Sequence, residues 1–188
     1  MARRPVLNIH QRVIPASPVL VGALLETLGS DDDRIWTTRI VPPIRLSAGL
    51  TVGSAGGHGP IRYRVVDHRP GVRVRFEFAP GLPLIGWHEV EVGGVGQARP
   101  ALVPPPEYAG GPRALIRHTL SARLSASGRL LWPTFIRPLH DAAIEDMFTN
   151  LELACGGTAH PQQPIPTWVR RLGTRLTARA ERRGRPLP

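Results

Sequence analysis

The stretch Leu130–Cys155, LLWPTFIRPLHDAAIEDMFTNLELAC, is the one long segment of this 188-residue chain whose apolar residues recur at helical spacing. On a 100° wheel Ile136, Leu139, His140, Ala143, Ile144, Met147, Leu151 and Ala154 share one side, and Asp141, Glu145, Asp146, Thr149 and Glu152 share the other. A helix so divided must lay its apolar stripe on another element. Pro133 and Pro138 lack a backbone donor and crowd the preceding turn, so the helix is expected to bend near them or to begin at Pro138.

The hundred-odd residues upstream supply mainly strands. Val6–Ile14 reads as a strand stopped by Pro15. Ser17 can cap a short helix with Pro18 in its first turn, Val21, Leu24, Leu25 and Leu28 on its apolar face, and Gly29 as its end. Asp31–Asp33 suit a second turn or helix over Ser30–Ile35 and are read as solvated caps, with no His or Cys beside them to complete a metal set. Leu46–Val52 is a further strand, and Gly53–Gly59, GSAGGHG, reads as a turn.

Four segments then alternate at period two. Ile61, Tyr63 and Val65 oppose Arg62 and Arg64, while Val72, Val74, Phe76 and Phe78 oppose Arg73, Arg75 and Glu77. His88, Val90 and Val92 oppose Trp87, Glu89 and Glu91, and Ile116, His118, Leu120 and Ala122 oppose Arg117, Thr119 and Ser121. Pro70-Gly71 joins the first two as a hairpin, and the Gly- and Pro-rich span 93–112 is an exposed insertion between the last two. One α+β domain over residues 1–156 follows, a curved antiparallel sheet wrapped around the long helix, with a basic tail at 157–188.

Composition narrows the function classes. The chain has 41% hydrophobic residues and a net charge of +10, and every one of its 24 basic side chains is Arg. Seven of those arginines, against one Glu, lie beyond Cys155, so six of the ten net positive charges belong to the tail. Net charge alone therefore does not support a nucleic-acid-binding domain, and nucleic acid is not the expected partner. A single cysteine, Cys155, excludes an internal disulfide and reads as a small hydrophobe at the helix end. No apolar run has the length of a membrane span, and Asn8, His10, Gln11 and Arg12 interrupt any signal-peptide core, so a cytoplasmic location is expected.

In order and spacing, IHQRVIPASPVLVGALL (9–25), GGHGPIRYRVVDHRPGVRVRFEF (56–78) and LLWPTFIRPLHDAAIEDM (130–147) resemble the SRPBCC superfamily of START-like and polyketide-cyclase-like proteins, with actinobacterial members nearest in pattern. The resemblance spans about residues 6–156 and excludes the insertion and the tail. It implies a helix-grip fold with a cavity between the sheet and the long helix. Strand and helix periodicity independently aims Tyr63, His88, His118 and His140 at that space, with Phe76, Ile144 and Met147 on the same faces.

Three imidazoles facing one interior admit several readings. In one, each simply satisfies a neighbour or a bound water. Together they suit a small hydrophobic ligand, a lipid or polyketide-like molecule whose carbonyl or hydroxyl they orient. A cyclase or dehydratase would use His88, His118 or His140 as general acid or base. Three imidazoles also form a zinc ligand set, but no HxH or HxxxH pair supports one, and neither a metal nor a cofactor is expected. No GxSxG elbow is present, and Asp141 falls on the outward face, so a Ser-His-Asp assembly is not indicated. His58 lies in a glycine-rich segment lacking any phosphate-binding frame and reads as part of a flexible turn.

The tail places Trp168, Leu172, Leu176 and Ala180 in helical register, with Arg170, Arg171, Arg175, Arg179, Arg182 and Arg183 around the remaining surface. A basic amphipathic helix of this kind fits an anionic membrane surface or nucleic acid, making a peripheral interaction module the third functional class; a solvated or frayed tail with Trp168 packed on the domain is the competing reading.

Overall fold

The computed structural model describes residues 5–95 and 111–157, together with Thr167, Trp168, Arg171 and Arg175. Strand β1 (Val6–Ile14) leads into helix α1 (Pro18–Leu25), and strands β2 (Arg45–Leu50), β3 (Ala55–His58), β4 (Ile61–Arg69), β5 (Arg73–Phe78), β6 (Leu84–Gly94) and β7 (Ala114–Leu124) follow. A short helix α2 (Ala126–Leu131), a π-helical turn over Trp132–Ile136 and the long helix α3 (Arg137–Ala154) complete the order. All pairings are antiparallel in one seven-stranded sheet, β1-β7-β6-β5-β4-β3-β2.

Local chemistry sets most of these boundaries. The Ser17 hydroxyl accepts from the Leu20 amide to cap α1, and the expected turn after it is held by Asp33, whose carboxylate accepts from the amides of Gly29, Ile35 and Trp36. The two prolines have the anticipated effect, with a specific geometry: Arg137 donates its amide to the Trp132 carbonyl across a widened turn, and α3 starts with Pro138 in its first turn.

The main core packs α1 and α3 on the sheet through Val21, Leu24, Leu25, Val74, Phe76, Ile116, Phe148 and Leu151. Two smaller clusters flank it, one around Ile40, Val41 and Ala143 and the other around Leu84, Leu120, Ala122 and Trp132. The inward parity expected for Tyr63, Val65, Val74, Phe76, Val90, Val92, Ile116, His118, Leu120 and Ala122 is observed, whereas Val72 and Ala154 are exposed.

Two expectations are corrected. Gly53–Gly59 is not simply a turn, because Ala55–His58 forms β3, paired on both sides. Its glycines permit this: a side chain at Gly56 would collide with the Arg45 carbonyl and one at Gly57, where φ is 146°, with the Ile61 carbonyl. The polar side of α3 is not a solvated face either, since Asp146, Thr149 and Glu152 are buried.

The partner of that polar side is β1, which reverses the usual burial pattern. Leu7 and Ile9 are 63% and 48% exposed, while Asn8, His10 and Arg12 turn inward against the helix. Asn8 Nδ2 donates to Asp141 at 2.8 Å, His10 bridges Asp141 and Glu145, and Arg12 reaches Glu145 at 2.7 Å, Thr149 at 3.1 Å and Glu152 at 3.5 Å. Asp141, expected to face outward, thus belongs to this seam. Asp146 is instead met by Arg39 at 2.9 Å.

Of the insertion expected at 93–112, Gly93 and Gly94 extend β6 opposite Leu115 and Ala114, and residues 96–110 lie outside the described residues, as do Arg170, Leu172, Leu176, Arg179, Ala180, Arg182 and Arg183 of the tail. Thr167, Trp168, Arg171 and Arg175 are helical and exposed, and the Trp168 ring lies 6.0 Å from that of Phe135. No helix among the described residues is long and apolar enough to cross a membrane.

Candidate functional site

Between the inner face of the sheet and α3 lies a cavity of about 120 Å³. Its walls draw on all three hydrophobic clusters, including Leu28, Ile44, Val41, Leu84 and Leu120, and Phe135 and Ile136 of the π-helical turn contribute as well. Four imidazoles interrupt this apolar lining: His58, His88, His118 and His140.

The sheet register explains how three strands deliver three of these rings. His88 on β6 pairs with Phe76 on β5 and Leu120 on β7, while His118 pairs with Val90 and with His10 on β1. His88 Nδ1 and His118 Nε2 are 3.4 Å apart, and the His118 and His140 ring centroids are 4.9 Å apart. The His88 ring stacks between Phe76 and Phe78, with centroid separations of 5.0 and 5.1 Å. His58 lies 5.1 Å from the Trp36 ring, in a strand position that the turn reading missed.

The residues expected at the site divide in the structure. His88, His118, His140, Phe76, Ile144 and Met147 all line the cavity. Tyr63 shares their face but stands behind the wall, its ring edge-on to His88 and Phe76. Sequence reasoning missed His58 and His10; the signal for His10 was available in its two-residue spacing from Asn8 and Arg12, which identifies a polar strand face.

Several of these polar atoms are orphaned. Among the described residues, His88 Nε2, His118 Nδ1, both ring nitrogens of His140 and the Tyr63 hydroxyl are buried without a hydrogen-bond partner. Burial disfavours the charged imidazolium and lowers His58 to about 4 and His88 to about 3, with smaller contributions from neighbouring positive charge. Burial likewise lowers His118 and His140, although Asp141 opposes the shift at His140. Burial raises the Tyr63 phenol. The four cavity imidazoles are therefore neutral at pH 7.

His10 stands in the opposite condition. Burial works against its charge, but hydrogen bonds with Asp141 and Glu145 outweigh it and raise the ring to about 9. Both carboxylates are correspondingly lowered despite their own burial, through His10 in each case, with His140 and Asn8 assisting at Asp141 and Arg12 at Glu145.

No family model matches the chain, and no curated protein matches it in sequence. Solved structures do match its fold. Norcoclaurine synthase from Thalictrum flavum, in complex with dopamine and hydroxybenzaldehyde, superposes with a TM-score of 0.54 at 11% identity, covering 84% of this chain and 91% of that one. A protein from Thermobifida fusca gives 0.54 at 14%, covering 82% and 99%, and CalU16 from Micromonospora echinospora gives 0.50 at 13%, covering 94% and 87%. The curved seven-stranded antiparallel sheet and long helix α3 constitute a helix-grip fold.

Proposed function

We propose that the cavity binds a small, mainly apolar molecule and orients its carbonyl or hydroxyl through the imidazoles. The observation carrying this reading is the set of unpartnered nitrogens on His88, His118 and His140 in an otherwise apolar wall. A buried polar atom without a partner costs about 1–3 kcal/mol, and a ligand oxygen supplies the missing bond without disturbing the fold. The cavity is close to the ~150 Å³ that accepts a benzene ring in another protein, so a ring-sized portion of the ligand fits. The small aromatic molecules bound by norcoclaurine synthase lend support to this ligand class.

Native mass spectrometry of the freshly purified full chain would detect a co-purifying ligand. Independently, displacement of the fluorescent probe anilinonaphthalene sulfonate by phenols is compared with displacement by the corresponding toluenes. The parent should prefer the phenols and His118→Leu should lose that preference. Equal displacement by both series in both proteins would refute the orienting role.

A second reading makes the site catalytic. The 3.4 Å approach of His118 to His88 sets two titratable groups beside the cavity, an arrangement suited to moving a proton to or from a bound polyketide-like substrate. Product formation from linear polyketide mimics, lost in His118→Phe with binding retained, would favour catalysis over carriage.

A further inference from the structure

We propose that His10, His140 and Asp141 form a binding site for a divalent first-row transition ion at the edge of the cavity. Each offers one ligand atom, and the three atoms lie within 4.8 Å of one another. The set differs from the three cavity imidazoles considered from the sequence and joins β1 to the first turns of α3.

The separations suit the ion. Donors held about 2.0–2.2 Å from a tetrahedral centre stand roughly 3.3–3.6 Å apart. His10 Nε2 is 3.1 Å from Asp141 Oδ1, and His140 Nδ1 is 3.8 Å from the same oxygen, beyond hydrogen-bond length. Binding requires the His140 ring to move toward the other two donors, and no hydrogen bond of its own holds it back. Two nitrogen donors and one carboxylate are a ligand combination used for such ions.

The surroundings provide the support that metal-binding imidazoles require. His10 Nδ1 lies 2.7 Å from Glu145 Oε1, and Arg12 holds the other Glu145 oxygen at 2.7 Å. When Nδ1 donates to Glu145, the lone pair of Nε2 is directed at the Asp141 oxygen, and these two acceptors require something positive between them. A carboxylate on the far nitrogen is the usual means of orienting a metal-bound imidazole. Asn8 Nδ2 steadies Asp141 Oδ1 at 2.8 Å, and Arg137 Nε approaches Oδ2 at 3.5 Å.

A proton alone satisfies His10 and Asp141, but it gives His140 no function there. Both His140 nitrogens are buried without a partner, and its ring stands 5.9 Å from that of His10. An ion accounts for all three side chains. Because His140 also lines the cavity, the ion would stand at its edge, but the inference rests on the cluster alone and not on the ligand proposed above.

The test uses the full chain, treated with chelator, freed of it and titrated with Co²⁺ and then Zn²⁺. Expected are saturable binding of one equivalent, the intense visible absorption of four-coordinate cobalt, and its loss when zinc displaces cobalt. His140→Ala removes no hydrogen bond and should fold as the parent does by circular dichroism, yet lose saturable binding. Glu145→Gln should weaken binding about 10- to 100-fold. Absence of saturable Co²⁺ binding by the parent, or equal binding by parent and His140→Ala, overturns the site.

Discussion

His10 Nδ1 on β1 and Glu145 Oε1 on α3 meet at 2.7 Å although 135 residues separate them in the chain. The contact belongs to a polar seam that closes the helix against the edge strand, with Asn8–Asp141 on one side of it and Arg12–Glu152 on the other. Helix-on-sheet packing would ordinarily fill such a seam with aliphatic side chains. Here the apolar stripe of α3 serves the core and cavity while its polar stripe is spent on β1, so both sides of the helix are engaged.

The seam makes Arg12 a sensitive position. The Glu152 side chain is fully buried and lies 3.5 Å from Arg12, which also binds Glu145 and Thr149. Removing one member of a buried charged pair costs about 3–5 kcal/mol, because the other charge remains buried. Arg12→Leu should lose stability on that scale in urea unfolding, and Arg12→Leu/Glu152→Leu should recover part of it. Equal stability of Arg12→Leu and parent would show that the seam contributes little.

Acid should destabilise the protein through its neutral histidines. His58 faces Trp36 and Tyr63 with Arg62 nearby, and His88 faces Tyr63, Phe76, Phe78 and His118. Their folded values, about 4 and about 3, lie below the 6.5 of the unfolded chain, so between these limits the unfolded state binds more protons. Stability is therefore fully present above pH 6.5, falls as pH drops and levels off below the folded values. Each histidine contributes a slope approaching about 1.4 kcal/mol per pH unit. His88→Phe should flatten the curve measured by urea unfolding from pH 7 to pH 4; an unchanged slope would count against a buried neutral imidazole at 88.

Gly22→Ala offers a test of packing against helix propensity. In an open helix the change would stabilise by up to about 1 kcal/mol. Here α1 crosses the β4–β5 hairpin so closely that a β-carbon at Gly22 would collide with the Gly71 carbonyl. Glu26 fixes that approach by accepting from the Gly71 amide at 2.8 Å and by contacting His68 at 3.1 Å. The melting temperature should fall, and a rise would mean that the hairpin yields readily.

His140→Leu separates packing from recognition. With both nitrogens unpartnered, the imidazole contributes no protein hydrogen bond, so leucine should leave the melting temperature unchanged or higher. Preference for a ligand bearing a hydroxyl or carbonyl should decline. Lost stability with unchanged preference would assign His140 to the core.

Much of the fold was legible because alternation and helical spacing report which residues share a face. Val74 and Phe76 on β5, Val90 on β6, Ile116 to Ala122 on β7 and Ile144 to Leu151 on α3 were readable in this way, as was the inward aim of His88, His118 and His140. Periodicity does not reveal what a face meets. The Asp141, Glu145, Thr149 and Glu152 stripe has the pattern of a solvated surface, and only the return of β1 alongside the helix shows that it is covered, with Thr149 and Glu152 buried and Asp141 and Glu145 partly so.

The same limit concealed β3 and His10. Ala55–His58 carries no strand signal of its own, since its glycines are selected by the close approach of Arg45 and Ile61 on neighbouring strands. By itself the sequence determined the other main element types, the parities of β4 to β7 and a curved sheet wrapped around the long helix, because each follows from local backbone chemistry and the need to bury apolar faces. Tertiary structure alone decided which imidazoles remain neutral and which is charged. That outcome depends on whether burial or a carboxylate from a distant element dominates the environment of each ring, and nearness in space cannot be read from spacing along the chain.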